Sequence, residues 1–211
     1  MIIAVDGPAA SGKGTIARAI ANHFGLPYKD TGLLYRAVAL NLLKTGGDPD
    51  NEIEAARACE LSDFDFADAE LKREVVGGIA ARISGYPSVR KSLLERQRRF
   101  AEREGGAVLD GRDIGTVIAP DADVKLYVTA DAHVRAKRRC AELERMGLNV
   151  QLQDVLADIH ARDERDLRRL SSPLQRAPDA YIIDTSDLSV KEAVDAAIAT
   201  VSAALRKTDA K

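Results

Sequence analysis

A chain of 211 residues, 45% apolar and 30% charged, is long enough for one compact domain that buries about 70% of its unfolded surface without a disulfide or metal staple. A formal net charge of −2 gives no global pull toward nucleic acid. No apolar run approaches the length of a membrane span, and the N-terminus runs straight into a strand rather than a signal peptide, so a cytoplasmic protein without membrane or nucleic-acid partners is expected.

The first predicted element is a strand, Ile2-Ile3-Ala4-Val5. It is followed by Gly7-Pro8-Ala9-Ala10-Ser11-Gly12-Lys13-Gly14-Thr15 and a helix over 13–24. Strand, glycine-rich turn and helix in that order form a phosphate cradle. The glycines let successive backbone N–H groups point at an anion, and the helix N-terminus adds partial positive charge. Lys13 then reaches the β- and γ-phosphates, and a nearby hydroxyl faces Mg²⁺ or a phosphate oxygen. Gly14, and not Ser or Thr, follows the lysine, an ending that resembles nucleoside monophosphate kinases more than GTPases or motor ATPases.

A short strand near Pro27-Tyr28-Lys29 and a helix over 32–44 come next. Asp30-Thr31-Gly32-Leu33-Leu34-Tyr35-Arg36 reads either as a second anion site at a helix start or as an N-cap with a surface arginine. Helices over 52–60 and 69–84 are separated by breakers at Thr45-Gly46-Gly47-Asp48-Pro49 and Ser62-Asp63-Phe64-Asp65-Phe66-Ala67-Asp68. Residues 45–87 are thus expected to be a mostly helical insert and not a separate domain. A helix over 88–104 leads to a strand over 107–109, which ends in Asp110-Gly111-Arg112-Asp113. An apolar strand closed by aspartate resembles a Walker B element, whose carboxylate orients Mg²⁺ or its waters. A turn with a local ion pair is the bland alternative.

A strand over 124–128, helices over 131–146 and 151–170, a strand over 181–183 and a helix over 190–206 complete the chain. Strands alternating with helices predict an α/β fold whose parallel sheet is covered on both faces, with ligands at the carboxyl ends of the strands. Asp6-Gly7 and Asp110-Gly111 both fall on that rim.

Arginine outnumbers lysine 21 to 10, and fifteen of the arginines lie between Arg82 and Arg169. Solvated helix faces account for Arg96, Arg98, Arg99, Arg103 and Arg145. Arg162, Asp166 and Arg169, at i, i+4 and i+7, share one helical stripe. They stand before the Pro-containing segment Ser171-Ser172-Pro173, and that arrangement suits a mobile lid of cations for phosphoryl transfer. Cys59 and Cys140 match no metal spacing and read as ordinary packing in a reducing compartment, and His23, His133 and His160 do not cluster.

Taken together these motifs resemble the bacterial cytidylate kinases, over nearly the whole chain. The marks are Asp6-Gly7-Pro8 with Gly12-Lys13-Gly14-Thr15, Asp30-Thr31-Gly32 with Tyr35-Arg36, Tyr86-Pro87-Ser88-Val89-Arg90, Asp110-Gly111-Arg112-Asp113-Ile114-Gly115-Thr116, Pro120-Asp121-Ala122, and Arg162-Asp163 through Asp166 to Arg169. The Gly-Arg-Asp-Ile-Gly-Thr stretch is the most specific.

The resemblance implies a P-loop NTPase three-layer sandwich with a five-stranded parallel sheet and helices on both faces. It implies a single domain over 1–211, carrying a helical acceptor-binding insert at about 45–87 and a short arginine-rich lid at about 147–176. It implies transfer of the ATP γ-phosphoryl group to CMP or dCMP with Mg²⁺, by a monomer. Gly7, Pro8, Ala9, Ala10, Ser11, Gly12, Lys13, Gly14 and Thr15 would hold ATP. Thr31, Arg36 and Arg112 would hold the acceptor phosphate, and Arg90 and Asp113 would read cytosine. Arg162, Asp166 and Arg169 would serve the lid, sugar and phosphates. Lys13, Arg162, Arg169 and Asp110 would be catalytic, with Thr15 and Asp110 on Mg²⁺, partly through water.

Two departures bear on selectivity. Ala81 stands where the family often has serine, nine residues before Arg90, with Ser84 as a substitute donor. Residues 60–80 read as helix where the family usually has a small antiparallel sheet. The competing readings are a kinase for UMP or shikimate and, in another class, a P-loop nucleotide switch. A switch that reads guanine usually carries an Asn-Lys-x-Asp run, and the chain has none.

Overall fold

The structure, a computed structural model, describes residues 1–60, 66 and 68–209, apart from the side chains of 208 and 209. Five strands form one parallel sheet: β1 (Ile2–Asp6), β2 (Tyr28–Asp30), β3 (Ala107–Gly111), β4 (Val124–Thr129) and β5 (Tyr181–Asp184), in the spatial order β2-β3-β1-β4-β5. β1 and β3 are interior strands with buried residues on both faces. That is why their sequences read as unbroken apolar runs rather than alternations. The register sets Asp6 opposite Gly111 on one side and Tyr127 on the other, so β1 and β3 end together on one rim.

The chain divides into two compact units, Met1–Lys29 with Ala101–Lys211, and Asp30–Phe100. The second unit thus takes in segments on both sides of the 45–87 stretch. In the first unit, α1 (Lys13–Phe24) and α8 (Val190–Asp209) pack Ile16, Ile20, Ala197 and Val201 with Ile3, Val5, Val108, Leu126 and Val128 of the sheet. α6 (Ala132–Arg145) starts at Asp131, whose carboxylate accepts the His133 and Val134 N–H groups, an N-cap that satisfies otherwise orphaned donors. It pairs with α7 (Leu152–Arg168) through Ala136, Cys140, Leu143, Val155 and Ile159.

A π-helical turn, Ile114–Ile118, packs against β1 and β3. It is closed by Ile118 N–H to Asp113 O at 3.2 Å and Ala119 N–H to Ile114 O at 2.7 Å, and no local sequence signal announces it.

In the second unit, α2 (Gly32–Lys44) buries Leu34, Val38, Leu40 and Leu42 with Val76, Ile79 and Ile83 of α4 (Glu74–Ile83) and Val89 and Leu93 of α5 (Pro87–Ala101). Pro87 stands at the first position of α5, where a missing N–H costs nothing. α3 (Glu52–Arg57), capped by the Asn51 side chain, is shorter than the expected 52–60.

The helix expected over 69–84 is in fact two pieces. Ala69–Lys72 is a 3₁₀ turn, Arg73 is extended at φ −60° and ψ 141°, and α4 starts at Glu74. The periodicity runs through the break, but the Leu71 carbonyl, which a continuing helix would give to residue 75, accepts from the Arg36 guanidinium. Of the breaker expected at Ser62–Asp68, residues 62–65 and 67 lie outside the described residues.

Candidate active site

The phosphate loop fills the gap between β1 and α1. A Cβ on Gly7 would lie 2.0 Å from the Val128 carbonyl oxygen, so only glycine fits where the loop leaves the sheet. Ala10 sits at φ 58° and Gly12 at φ 89°, the left-handed backbone that turns the loop into the helix. Thr15 and Ile16 donate their N–H groups to Gly12 O. Lys13 is the first residue of α1.

The loop's outer carbonyls are tied down by distant residues. Arg135 Nη1 donates to Ala9 O at 3.3 Å, and Thr185 Oγ1 donates to Ser11 O at 3.0 Å. Arg138 in turn donates to Thr185 Oγ1 and O, at 2.8 and 2.6 Å. Arg135 also forms a two-pronged ion pair with Asp163 at 3.0 and 2.6 Å, so α6, α7 and the loop share one guanidinium. The Ser11 hydroxyl is buried and has no hydrogen-bond partner among the described residues.

Asp110, buried at the end of β3, faces the loop. Its Oδ2 would be 3.5 Å from a Cβ on Gly14, and its Oδ1 accepts from the Tyr28 hydroxyl at 2.9 Å. The Arg18 guanidinium lies over the Tyr28 ring, 5.2 Å from its centroid, a cation–π contact that steadies the phenol. A single oriented carboxylate with the Thr15 hydroxyl at the exposed first turn of α1 suits Mg²⁺, which keeps several waters and takes few protein ligands. Among the described residues no cluster of three His, Cys, Asp or Glu forms a metal cage.

Asp6 is the buried carboxylate that sequence reading left without a role. Its Oδ1 and Oδ2 accept the Ile114 and Gly115 N–H groups, each at 2.8 Å, so Asp6 caps the π-helical turn directly after Arg112 and Asp113. Burial pushes this carboxyl up to about 7, and Asp113 adds to the rise. The two N–H donors and Arg112 pull the other way. Asp113 itself is buried, and its carbonyl closes the turn.

Of the stripe expected on the helix over 151–170, Asp166 points inward, Arg162 is half-buried, and Arg169 stands just past the end of α7 with an extended ψ of 132°. Asp166 is 5% exposed; it accepts from Arg112 Nε at 2.8 Å and pairs with Arg169 Nη2 at 3.3 Å. Burial alone would raise this carboxyl, but Arg112, Arg169 and Arg162 together hold it below the usual carboxylate range. Arg168, by contrast, is exposed and pairs with Glu164 one helical turn away, which is the bland behaviour. Arg96, Arg99, Arg103 and Arg145 are exposed too, as expected.

Within the second unit, Asp30 Oδ1 accepts the Gly32 N–H at 2.8 Å. The first α2 donor is therefore engaged by Asp30, and Thr31, buried at the N-cap, makes no side-chain cap bond. Arg36 donates from Nη1 to Leu71 O at 2.6 Å and to Arg73 O at 3.4 Å. Arg90 is buried, donates to Ser84 O at 3.1 Å and lies over the Tyr35 ring at 5.7 Å. The Ser84 hydroxyl donates to Ala81 O at 2.9 Å, so the two positions in question for base reading are adjacent in one helix end. Cys59 and Cys140 are unpaired, and burial pushes the Cys59 thiol up to about 11, far from thiolate chemistry at neutral pH.

Arg135, Arg138, Thr185, Tyr28 and Asp6 are the residues that sequence reasoning missed. Each works through a contact distant in sequence, for which a single chain gives no local signal.

A parallel sheet, a phosphate loop with its lysine and a buried strand-end carboxylate beside that loop define a P-loop phosphotransferase fold. A family model described as cytidylate kinase matches residues 3–203. Proteins named cytidylate kinase are similar throughout. That of Methylocella silvestris is 53% identical over 207 residues, covering 97% of this chain and 95% of its own length. That of Caulobacter vibrioides NA1000 is 52% identical over 199 residues, covering 93% and 92%.

The chain belongs to the cytidylate kinase family. Among solved structures, a gluconokinase from Sinorhizobium meliloti 1021 superposes with a TM-score of 0.52 at 18% identity, covering 98% of this chain and 96% of its own. An uncharacterized protein from Eubacterium ventriosum superposes at 0.55 and 17%, covering 96% and 98%. These share the fold.

Proposed function

We propose that the chain transfers the γ-phosphoryl group of ATP to CMP or dCMP, giving ADP and CDP or dCDP. Identity above 50% with cytidylate kinases over more than nine-tenths of the chain supports the acceptor. The observation that carries the chemistry is the buried Asp110 carboxylate set beside Gly14 of the loop.

Gly7 to Thr15 hold the ATP phosphates, and Lys13 neutralises charge at the β/γ bridge. Thr15 and Asp110 hold Mg²⁺, partly through water; when bound, the ion supplies charge neutralisation to the transferred group. Arg162 and Arg169 stabilise the transferring phosphoryl group, and Asp166 orients Arg112 and Arg169 while contacting the sugar. Thr31, Arg36 and Arg112 hold the acceptor phosphate.

Asp113 and Arg90 read the base. A carboxylate accepts from the cytosine amino group, and a guanidinium donates to N3 or O2. Uracil reverses both patterns and leaves buried groups unpaired. The protein works as a monomer in the cytoplasm, without membrane or nucleic acid; among the described residues no helix is long and apolar enough to cross a membrane.

The test is a coupled ADP-release assay over CMP, dCMP, UMP and shikimate. CMP or dCMP is expected to give the highest kcat/KM. A higher value for UMP or shikimate overturns the acceptor, and nucleotide binding without turnover on any of the four restores the switch reading.

A further inference from the structure

α4 carries two adjacent glycines, Gly77 and Gly78, inside a ten-residue helix. Glycine weakens a helix interior because it loses the most conformational freedom on folding, so the pair invites an explanation. The two positions differ. A Cβ on Gly78 would meet nothing among the described residues within 4 Å. A Cβ on Gly77 would lie 2.7 Å from Arg36 Nη2, 3.1 Å from Cζ and 3.2 Å from Nη1. The guanidinium of α2 therefore occupies the space where a side chain at residue 77 would be.

Two carbonyls add to the cradle. Leu71 O, at 2.6 Å, and Arg73 O, at 3.4 Å, face Arg36 Nη1. Both lie where the 3₁₀ turn Ala69–Lys72 ends and the backbone turns extended, and terminal carbonyls carry partial negative charge that favours a cation. The Gly77 N–H uses the Arg73 carbonyl as well, at 3.0 Å, so α4's first turn and the guanidinium share one acceptor.

A guanidinium presents its donors as a rigid planar fork. With Nη1 directed at the carbonyls, the plane of the fork is constrained, and that plane decides how the guanidinium can meet a phosphate. A forked contact to phosphate adds geometric specificity as well as energy, so it is sensitive to how the guanidinium is turned.

We infer that Gly77 is a positioning residue for the acceptor phosphate: its missing side chain, together with the Leu71 and Arg73 carbonyls, sets the orientation in which Arg36 meets that phosphate. The inference rests on the reading of Arg36 as an acceptor-phosphate residue. Any side chain at 77 pushes on the far end of a flexible arginine and not on backbone, so the fold tolerates it while the fork turns away.

The experiment is a double-mutant cycle on the full chain with CMP and ATP as probes. Gly77→Ala is expected to raise KM for CMP about ten-fold, to leave KM for ATP within about two-fold, and to keep or raise the melting temperature. Gly78→Ala gains the same helix propensity without touching Arg36 and is expected to match wild-type kinetics. On an Arg36→Ala background, Gly77→Ala is expected to have no further effect.

Arg36→Ala at the wild-type KM for CMP removes the acceptor role of Arg36. Arg36→Ala impaired with Gly77→Ala at the wild-type KM overturns the inference alone. A Gly77→Ala defect that persists undiminished without Arg36, or that appears as a lower kcat and melting temperature at unchanged KM, marks a purely structural glycine and overturns it as well.

Discussion

Asp6→Asn changes one atom of a buried carboxylate that caps the turn behind Arg112 and Asp113, and its effect has a definite pH signature. Burial raises the Asp6 carboxyl from 3.8 to about 7. A carboxyl raised on folding adds stability that is fully present below its unfolded value and is lost as pH rises through its folded value. Between those limits the folded chain holds a proton that the unfolded chain has released, and stability falls by about 1.4 kcal/mol per pH unit. From about pH 5 to about pH 8.5 the loss amounts to roughly 3 kcal/mol.

Asparagine cannot titrate, so this slope vanishes in the variant. What remains is a constant penalty. The two Asp6 oxygens accept one N–H each, and an amide NH₂ set against either donor costs about 1–3 kcal/mol at all pH values. The assay is urea unfolding of both proteins at four pH values across that range, reading wild type minus variant. The difference is expected to shrink by roughly 3 kcal/mol as the pH rises. A difference that stays flat or grows with pH refutes the reasoning, because Asp6 would then be an ordinary ionised cap.

Lys13→Ala is expected to lower kcat about 10²–10³-fold in a folded protein; near-normal turnover with an unchanged circular dichroism spectrum contradicts its place in the phosphate loop. Asp166→Asn removes the charge shared by Arg112 and Arg169 and is expected to cost about 3 kcal/mol at neutral pH. Wild type holds that stabilisation above the ordinary carboxylate range and loses it only as pH falls through the depressed folded value, so equilibrium unfolding at neutral pH within about 0.5 kcal/mol of wild type argues against a shared buried pair. Asp113→Ala is expected to lower kcat/KM for CMP and compress the CMP-to-UMP ratio, since it removes both the attraction for cytosine and the rejection of uracil; an unchanged ratio assigns base reading elsewhere.

The sheet and the phosphate loop were legible in sequence because their signals are local. Interior strands demand contiguous apolar residues, so Ile2 to Val5 and Ala107 to Leu109 stood out, and Gly7 sits where the backbone must approach Val128. The placing of Asp166 with Arg162 on α7 was legible for the same reason, while Arg169 joins Asp166 from just past the helix end.

What stayed hidden depends on partners far along the chain. The Asp6 cap joins residues separated by 108 positions, and the Thr185 support of the loop spans 174. The break at Arg73 escaped because helix periodicity continues across it, while the Leu71 carbonyl at the break is taken by Arg36, a residue of another element.

The central claim is phosphoryl transfer from ATP to a cytidine monophosphate. Its most direct test follows the γ-phosphorus itself: ATP labelled there is incubated with CMP and the purified chain, and products are separated by ion-exchange chromatography. The account predicts label in CDP in step with ADP formed, and none of it without CMP. Label released as inorganic phosphate, or retained in ATP while CMP is present, would contradict it.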